Sequence, residues 1–346
     1  MKVKKIYKLI LLFLVITTAC ITPIDVEINE EINVLVIDGY ITTDNGPHEI
    51  RITRSAKFGD IFVGTIERIS KASVSVRDQT GTVTKVIEES PGYYFTPADF
   101  KGEVGYSYTL LVETIAGESY SSLPQKIAAA PAIDDVFFQF KNTPTINPTV
   151  TNSGLDVLIE FEDPADERNY YMWEVDGVYE QTTNPELFVN LETDQLAPKD
   201  CCSVCYISDN GVAGDILSDI QVNGNTVVQK IGFLKDDKRR FQSDYMIHIR
   251  QFSITQEAYE FFRVLRNQLE ISGSIFDPPP ATIGSNIINL NEPDAPTIGY
   301  FGAFDVQNYD AFIDLSQITE PRSDQIANDD CRLLQNSTTE RPADWD

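Results

Sequence analysis

The sequence predicts a mainly β protein: an N-terminal immunoglobulin- or fibronectin-like sandwich, followed by a second β-rich domain that carries one amphipathic helix. Three observations predict it. Short segments over residues 32–128 alternate apolar and polar side chains and are punctuated by turn residues, the signature of half-buried strands. Ala128-Ala129-Ala130-Pro131-Ala132 then interrupts the alternation between two strand-rich regions and marks a linker. Within the second region, 133–315, one stretch at about 254–271 has a helical period instead.

In the first domain the strand Asn33 to Ile41, the turn Asp44-Asn45-Gly46-Pro47 and the strand His48 to Arg54 form a predicted hairpin. Further strands are expected at Ala72 to Arg77, Val83 to Glu88, Tyr93 to Thr96, Tyr106 to Thr114 and Ser119 to Ser122. Gly81, Pro91-Gly92 and Ala116-Gly117 break them. Seven or so short strands in about a hundred residues fit a sandwich. Tyr106, Tyr108, Leu110 and Val112 share one strand face and are expected in the core.

In the second domain, strands are predicted at Ile133 to Phe140, Leu155 to Phe161, Asn169 to Val178, Thr226 to Leu234, Asp244 to Phe252 and Thr297 to Val306. The helix is expected to begin at Ser253, with Gln256 three residues later in a capping-box arrangement. Ala258, Phe261, Phe262, Leu265 and Leu269 form its apolar face, so it should lie on a sheet. Asp277-Pro278-Pro279-Pro280 then forces extended backbone. The segment 178–226 lacks long alternation and is expected to project as an irregular excursion suited to docking a partner. Residues 316–346 form a C-terminal tail.

A chain of 346 residues, 42% of them apolar, is long enough for two or three domains with their own cores. Its 27 Lys+Arg against 53 Asp+Glu give a net charge of −26. That excludes nucleic acid as a general partner, because phosphate binding needs clustered cations.

The N-terminus reads as an address. Lys2, Lys4, Lys5 and Lys8 precede the apolar run Leu9 to Ile16 and the small-residue exit Thr17-Thr18-Ala19. Residues 1–19 therefore form a secretory signal peptide. An apolar run of about 12 Å of helix is too short to span a bilayer core. Cys20 directly after Ala19 resembles the bacterial lipobox, in which that thiol is acylated; Thr17 stands where Leu is usual. Cys20 is thus the expected lipidation site, and the membrane the expected partner of the lipid anchor. Residues 20–31, with Asp25, Glu27, Glu30 and Glu31, read as a tether resembling the surface-export signal of Bacteroidota lipoproteins; alternation with Val26 and Ile28 equally fits an edge strand.

Four cysteines follow: Cys201, Cys202, Cys205 and Cys331. An even number in an exported chain predicts two disulfides. Cys202-Ser203-Val204-Cys205 also has the C-x-x-C spacing of half a zinc site, but the second half is missing and the compartment is oxidising. Adjacent Cys201 and Cys202 should point apart, so one is expected to pair elsewhere. Cys331 is the only distant partner, and such a bond would tie the tail to the excursion near residue 200.

Other chemistry is sparse. His48 and His248 lie far apart in sequence, and His248 reads as a paired sheet residue. Asp163, Asp166, Glu167 and Asp294 offer oxygen ligands for calcium but match no EF-hand, and they read as solvated acidic loops. G-x-S-x-G, the phosphate loop and H-E-x-x-H are all lacking in the sequence. No catalytic residue, metal or cofactor is assigned.

The lipobox, Val36-Ile37-Asp38-Gly39-Tyr40-Ile41, Ile52-Thr53-Arg54-Ser55-Ala56, the Gly105 to Val112 strand, Glu257-Ala258-Tyr259-Glu260-Phe261-Phe262 and Gly299-Tyr300-Phe301-Gly302-Ala303 stand in an order that resembles a Bacteroidota lipoprotein family classed as a domain of unknown function. The likeness runs from about residue 20 to 315. It implies an outer-membrane lipoprotein with an accessory role beside a SusC-like TonB-dependent transporter, and it supplies no catalytic residues; the acidic residues after Cys20 make the cell surface the expected face. The leading expectation is a non-enzymatic accessory subunit that captures substrate for, or covers, such a barrel. The alternative is a structural or biogenesis subunit of an outer-membrane complex; a secreted hydrolase is a distant third.

Overall fold

The computed structural model describes residues 34–55, 66–144, 151–212, 214–269, 284–318, 326–343 and 345, all within one compact unit. The expected signal peptide 1–19, Cys20, the expected tether 20–31 and the Asp277 to Pro280 segment lie outside the described residues.

The first sandwich grows from β1 (Leu35–Thr42), β2 (Glu49–Arg54), β3 (Glu67–Arg68), β4 (Ser73–Asp78), β5 (Val83–Ser90), β6 (Tyr93–Phe95), β7 (Ser107–Glu113), β8 (Ser119–Ser122) and β9 (Gln125–Lys126). β1 and β2 form the expected hairpin, with Ile37 opposite Ile52. β5 passes between layers: Val83 to Val86 pair with β4 and Ile87 to Ser90 with β6. Alternation puts Ile37, Ile41, Ile50, Ile52 and Tyr94 in contact with Val74, Val76, Leu110 and Val112 in one core. Tyr108 is buried there, and Tyr106 packs against the edge.

The second half contributes β10 (Asp135–Pro144), β11 (Thr151–Glu162), β12 (Tyr170–Thr182), β13 (Val189–Asn190), β14 (Gln195–Leu196), β15 (Val204–Val212), β16 (Ile216–Ser218), β17 (Thr226–Lys235), β18 (Tyr245–Ser253) and α1 (Gln256–Leu269). β19 (Ile287–Asn289), β20 (Ile298–Phe312) and β21 (Ser337–Thr338) complete the chain. A three-stranded sheet, β10-β11-β17, covers one face of β20-β18-β12-β15-β21. Between them Leu155, Val157, Ile159 and Phe161 pack on Tyr171, Trp173, Val175 and Ile249. On the opposite face α1 covers Tyr170, Met172, Phe252, Tyr300 and Phe304. Among the described residues no helix is long and apolar enough to cross a membrane.

β20 departs from the sequence expectation. The sequence assigns 133–315 to the second domain, but Ile298 to Phe304 run parallel to β1 and Ile287 to Asn289 pair with β8 of the first sandwich. Only from Asp305 does β20 join β18. Parallel pairing needs a long crossover and leaves no local turn signal, so the return into the first sandwich cannot be read from pattern alone. The two sandwiches thus share a continuous run of paired strands. Asp305 fastens the crossing: its carboxylate accepts from Thr43 Oγ1 at 2.5 Å and from the backbone N–H of Ala130, in the linker, at 2.8 Å.

Two local expectations also change. Thr255, not Ser253, caps α1, its Oγ1 accepting from Ala258 N at 3.1 Å, while Ser253 closes β18 opposite Asp305. The strand's pairing takes Ser253 first, so the cap falls two residues later. The excursion 178–226 is in part ordered strand, for β15 pairs with β12 from Val175 to Thr182 and β16 with Tyr170 to Met172. Its irregular part is 183–203, where β13 and β14 make a small hairpin. The Asp209-Asn210-Gly211 sequence hid β15, because it reads as a turn inside the strand.

Candidate binding cleft

Where β20 crosses between the sandwiches, the solvent face of the shared sheet carries a group of charged residues. β1 contributes Asp38 and Tyr40, β2 contributes Glu49 and Arg51, and β18 contributes Arg250. With His48 they line a cleft of about 300 Å³. The cis Gly46–Pro47 bond precedes His48, whose backbone is held by Thr96: His48 N donates to Thr96 Oγ1 at 2.8 Å, and Thr96 N donates to the His48 carbonyl at 3.0 Å.

The charges are arranged in pairs. Arg51 Nη2 donates to Asp38 Oδ2 at 2.6 Å, with both side chains about half exposed. Arg250 Nη1 donates to Glu174 Oε2 at 3.0 Å, and Tyr40 Oη donates to Glu174 Oε1 at 2.6 Å. The Arg250 guanidinium also stands 4.8 Å above the Phe252 ring. Tyr40 packs on Phe252 and Phe304 with ring centroids 5.6 Å apart in each case. Burial first and the Glu174 charge second push the Tyr40 phenol well above its ordinary range, so it stays a donor. His48 is only 8% exposed, and its Nε2 has no hydrogen-bond partner among the described residues. Burial, with Arg250 adding to it, lowers the His48 pKa and keeps the imidazole neutral at pH 7.

The sequence-predicted residues fall elsewhere. Cys205 and Cys331 form one disulfide, with Cα atoms 5.8 Å apart, and this bond ties the tail to β15. Cys201 and Cys202 are bonded to each other, correcting the expectation that one of them reaches Cys331. Their Cα atoms lie 3.1 Å apart, close enough for the two thiols to meet. Both cysteines of the C-x-x-C spacing are therefore in disulfides, and among the described residues no group of three His, Cys, Asp or Glu is placed to hold a metal. Asp163 has a structural role, accepting from Tyr171 Oη at 2.5 Å and Gly224 N at 2.9 Å. His248 pairs with Asp310, directly opposite on β20, at 2.7 Å.

Sequence reasoning missed the cleft. The available signal was a charged residue beside buried isoleucines: Asp38 after Ile37 in β1, Arg51 between Ile50 and Ile52 in β2 and Arg250 after Ile249 in β18. Their convergence depends on β20 lying between β1 and β18, which no local pattern encodes.

Fold and cleft together define a two-sandwich β protein with a polar recess at the junction. The chain belongs to the family described as Domain of unknown function (DUF4249), whose model matches residues 21–310. No curated protein matches it. It is similar, at 9% identity and a TM-score of 0.22, to a crystal structure of a DUF4785 family protein from Legionella pneumophila, over 63% of this chain and 52% of that one. The chain thus spans about half the length of that protein, and at this TM-score the likeness carries no argument.

Proposed function

We propose that the protein is a non-enzymatic, lipid-anchored capture subunit on the outer surface of the outer membrane, working beside a TonB-dependent barrel of the SusC-like type. The observation that carries the capture role is the cleft itself. It gathers two guanidinium groups, two carboxylates, an imidazole and a phenol at the junction, and its cations are already engaged by Asp38 and Glu174. Groups committed to each other in this way are pre-organised for recognition, because little ordering remains to be done when a ligand arrives. The lipobox at Cys20 supports the anchor, and the acidic residues after it support surface export.

The test is co-purification of the tagged, full-length protein from detergent-solubilised outer membranes. A stoichiometric barrel protein is expected, and its absence overturns the partnership. Deletion of the gene should abolish growth on one nutrient class, whereas a general envelope defect would move the role to assembly of an outer-membrane complex.

A further inference from the structure

The cleft is chemically more specific than a generic polar recess. Its volume of about 300 Å³ lies at the small end of small-molecule sites, room for a ligand of roughly one or two rings. An anion entering it would meet Asp38 and Glu49, and a cation would meet Arg51 and Arg250. The lining charges balance, so an ion of either sign is attracted by one set of lining groups and repelled by the other. A hydroxyl group has no such conflict, since it accepts from a guanidinium and donates to a carboxylate at the same time. Each guanidinium carries five N–H donors in a planar fork, more than its carboxylate partner uses, so donors remain for a ligand. The half-buried Tyr40 ring adds an apolar face beside them.

We infer that this cleft binds a net-neutral, hydroxyl-rich ligand of the saccharide class, held between Arg51 and Arg250. The inference rests on reading the cleft as the capture site and is independent of the barrel.

The experiment is isothermal titration of the full mature chain, carrying Cys20→Ala, with maltose, cellobiose, mannobiose and lactose. Glycylglycine stands for zwitterions, and inorganic phosphate for anions. Saturable binding of at least one disaccharide is expected, weakened about tenfold or more by Arg51→Ala, because hydrogen bonds to a charged group are worth more than one decade of affinity. Arg250→Ala leaves Glu174 unpaired and threatens folding, so Arg250→Lys, which keeps the charge and loses the fork, serves as the second variant and should weaken binding similarly. An unchanged unfolding midpoint establishes that each variant is folded. The inference is overturned if none of the four disaccharides binds, if only phosphate or glycylglycine binds, or if folded Arg51→Ala and Arg250→Lys both bind like the parent. Barrel co-purification without disaccharide binding would sink this inference alone, and disaccharide binding without a barrel would sink the partnership alone.

Discussion

Trp173 donates its indole N–H to Gln251 Oε1 at 2.8 Å in the middle of the second core, and Gln251 Nε2 donates in turn to the Pro131 carbonyl at 2.7 Å. Gln251 is fully buried, so this one amide joins the sandwich core to the linker. Gln251→Met keeps the volume and removes both partners, leaving a buried indole N–H and a carbonyl unpaired. A loss of about 2–6 kcal/mol is expected at about one to three per unsatisfied group. Urea unfolding followed by tryptophan fluorescence measures it, and a change below about 0.5 kcal/mol would refute the role of the amide. The transition should remain single, because β20 belongs to both sandwiches.

The crossing itself depends on Gly299. Its φ is +107°, and a Cβ there would lie 1.9 Å from the carbonyl oxygen of Ile37, the residue it faces across the parallel pair. Both the backbone conformation and the close approach exclude a side chain. Gly299→Ala should cost more than about 3 kcal/mol or prevent folding, since backbone strain and a hard contact add. Gly284→Ala is the control, for a Cβ at Gly284 meets nothing within 4 Å. Equal melting temperatures for the two variants would contradict the assignment.

These two sites show what the sequence makes legible. Strand identity follows from side-chain alternation, so β4, β7, β11 and β18 sit within a residue or four of their predicted bounds. The amphipathic face of α1 is equally local, and Phe261 and Phe262 do pack on the sheet. What pattern does not carry is the neighbour of each strand. Gly299-Tyr300-Phe301-Gly302 reads as strand, but nothing in it names β1 as the partner, and the cleft exists only because of that pairing. The same limit applies to the cysteines, whose number predicts two bonds while connectivity depends on folded geometry.

The Cys205–Cys331 bond spans a sequence separation of 126 residues and should hold the tail in place. β21 is only two residues long, and Trp345 rests on Tyr206 and Phe312 with ring centroids 5.0 and 5.3 Å away. Cross-linking so long a loop is worth about 4–5 kcal/mol in the chain-entropy model. Cys331→Ser should therefore lower stability by up to that amount and expose residues 326–346 to limited proteolysis at temperatures where the parent resists. Identical cleavage rates would mean that aromatic packing alone retains the tail.

His48 predicts a pH dependence with a definite sign. Burial first, then Arg250, lowers its folded pKa below the ordinary histidine value, while backbone contacts and charge at Asp44 act the other way. The unfolded chain therefore binds the proton more readily, and stability rises with pH across this window. The contribution is complete above the unfolded pKa of about 6.5 and is lost as the pH falls below it toward the folded value. Two other effects must be separated from it. Hydrogen bonds from Thr80 to Asp78 and from Lys199 to Asp329 lower those carboxylate pKa values, so their stabilisation is lost only below about pH 4. Burial raises the Asp176 pKa, which gives the opposite slope: stability is lost as the pH rises through its folded value. The measurement is accordingly a difference: unfolding free energy from pH 8 to pH 5 for the parent, for His48→Gln and for His248→Gln. The parent and His248→Gln should share the component that weakens below about pH 6.5, and His48→Gln should lack it. Superimposable pH profiles for the parent and His48→Gln would show that the buried imidazole is not the group responsible.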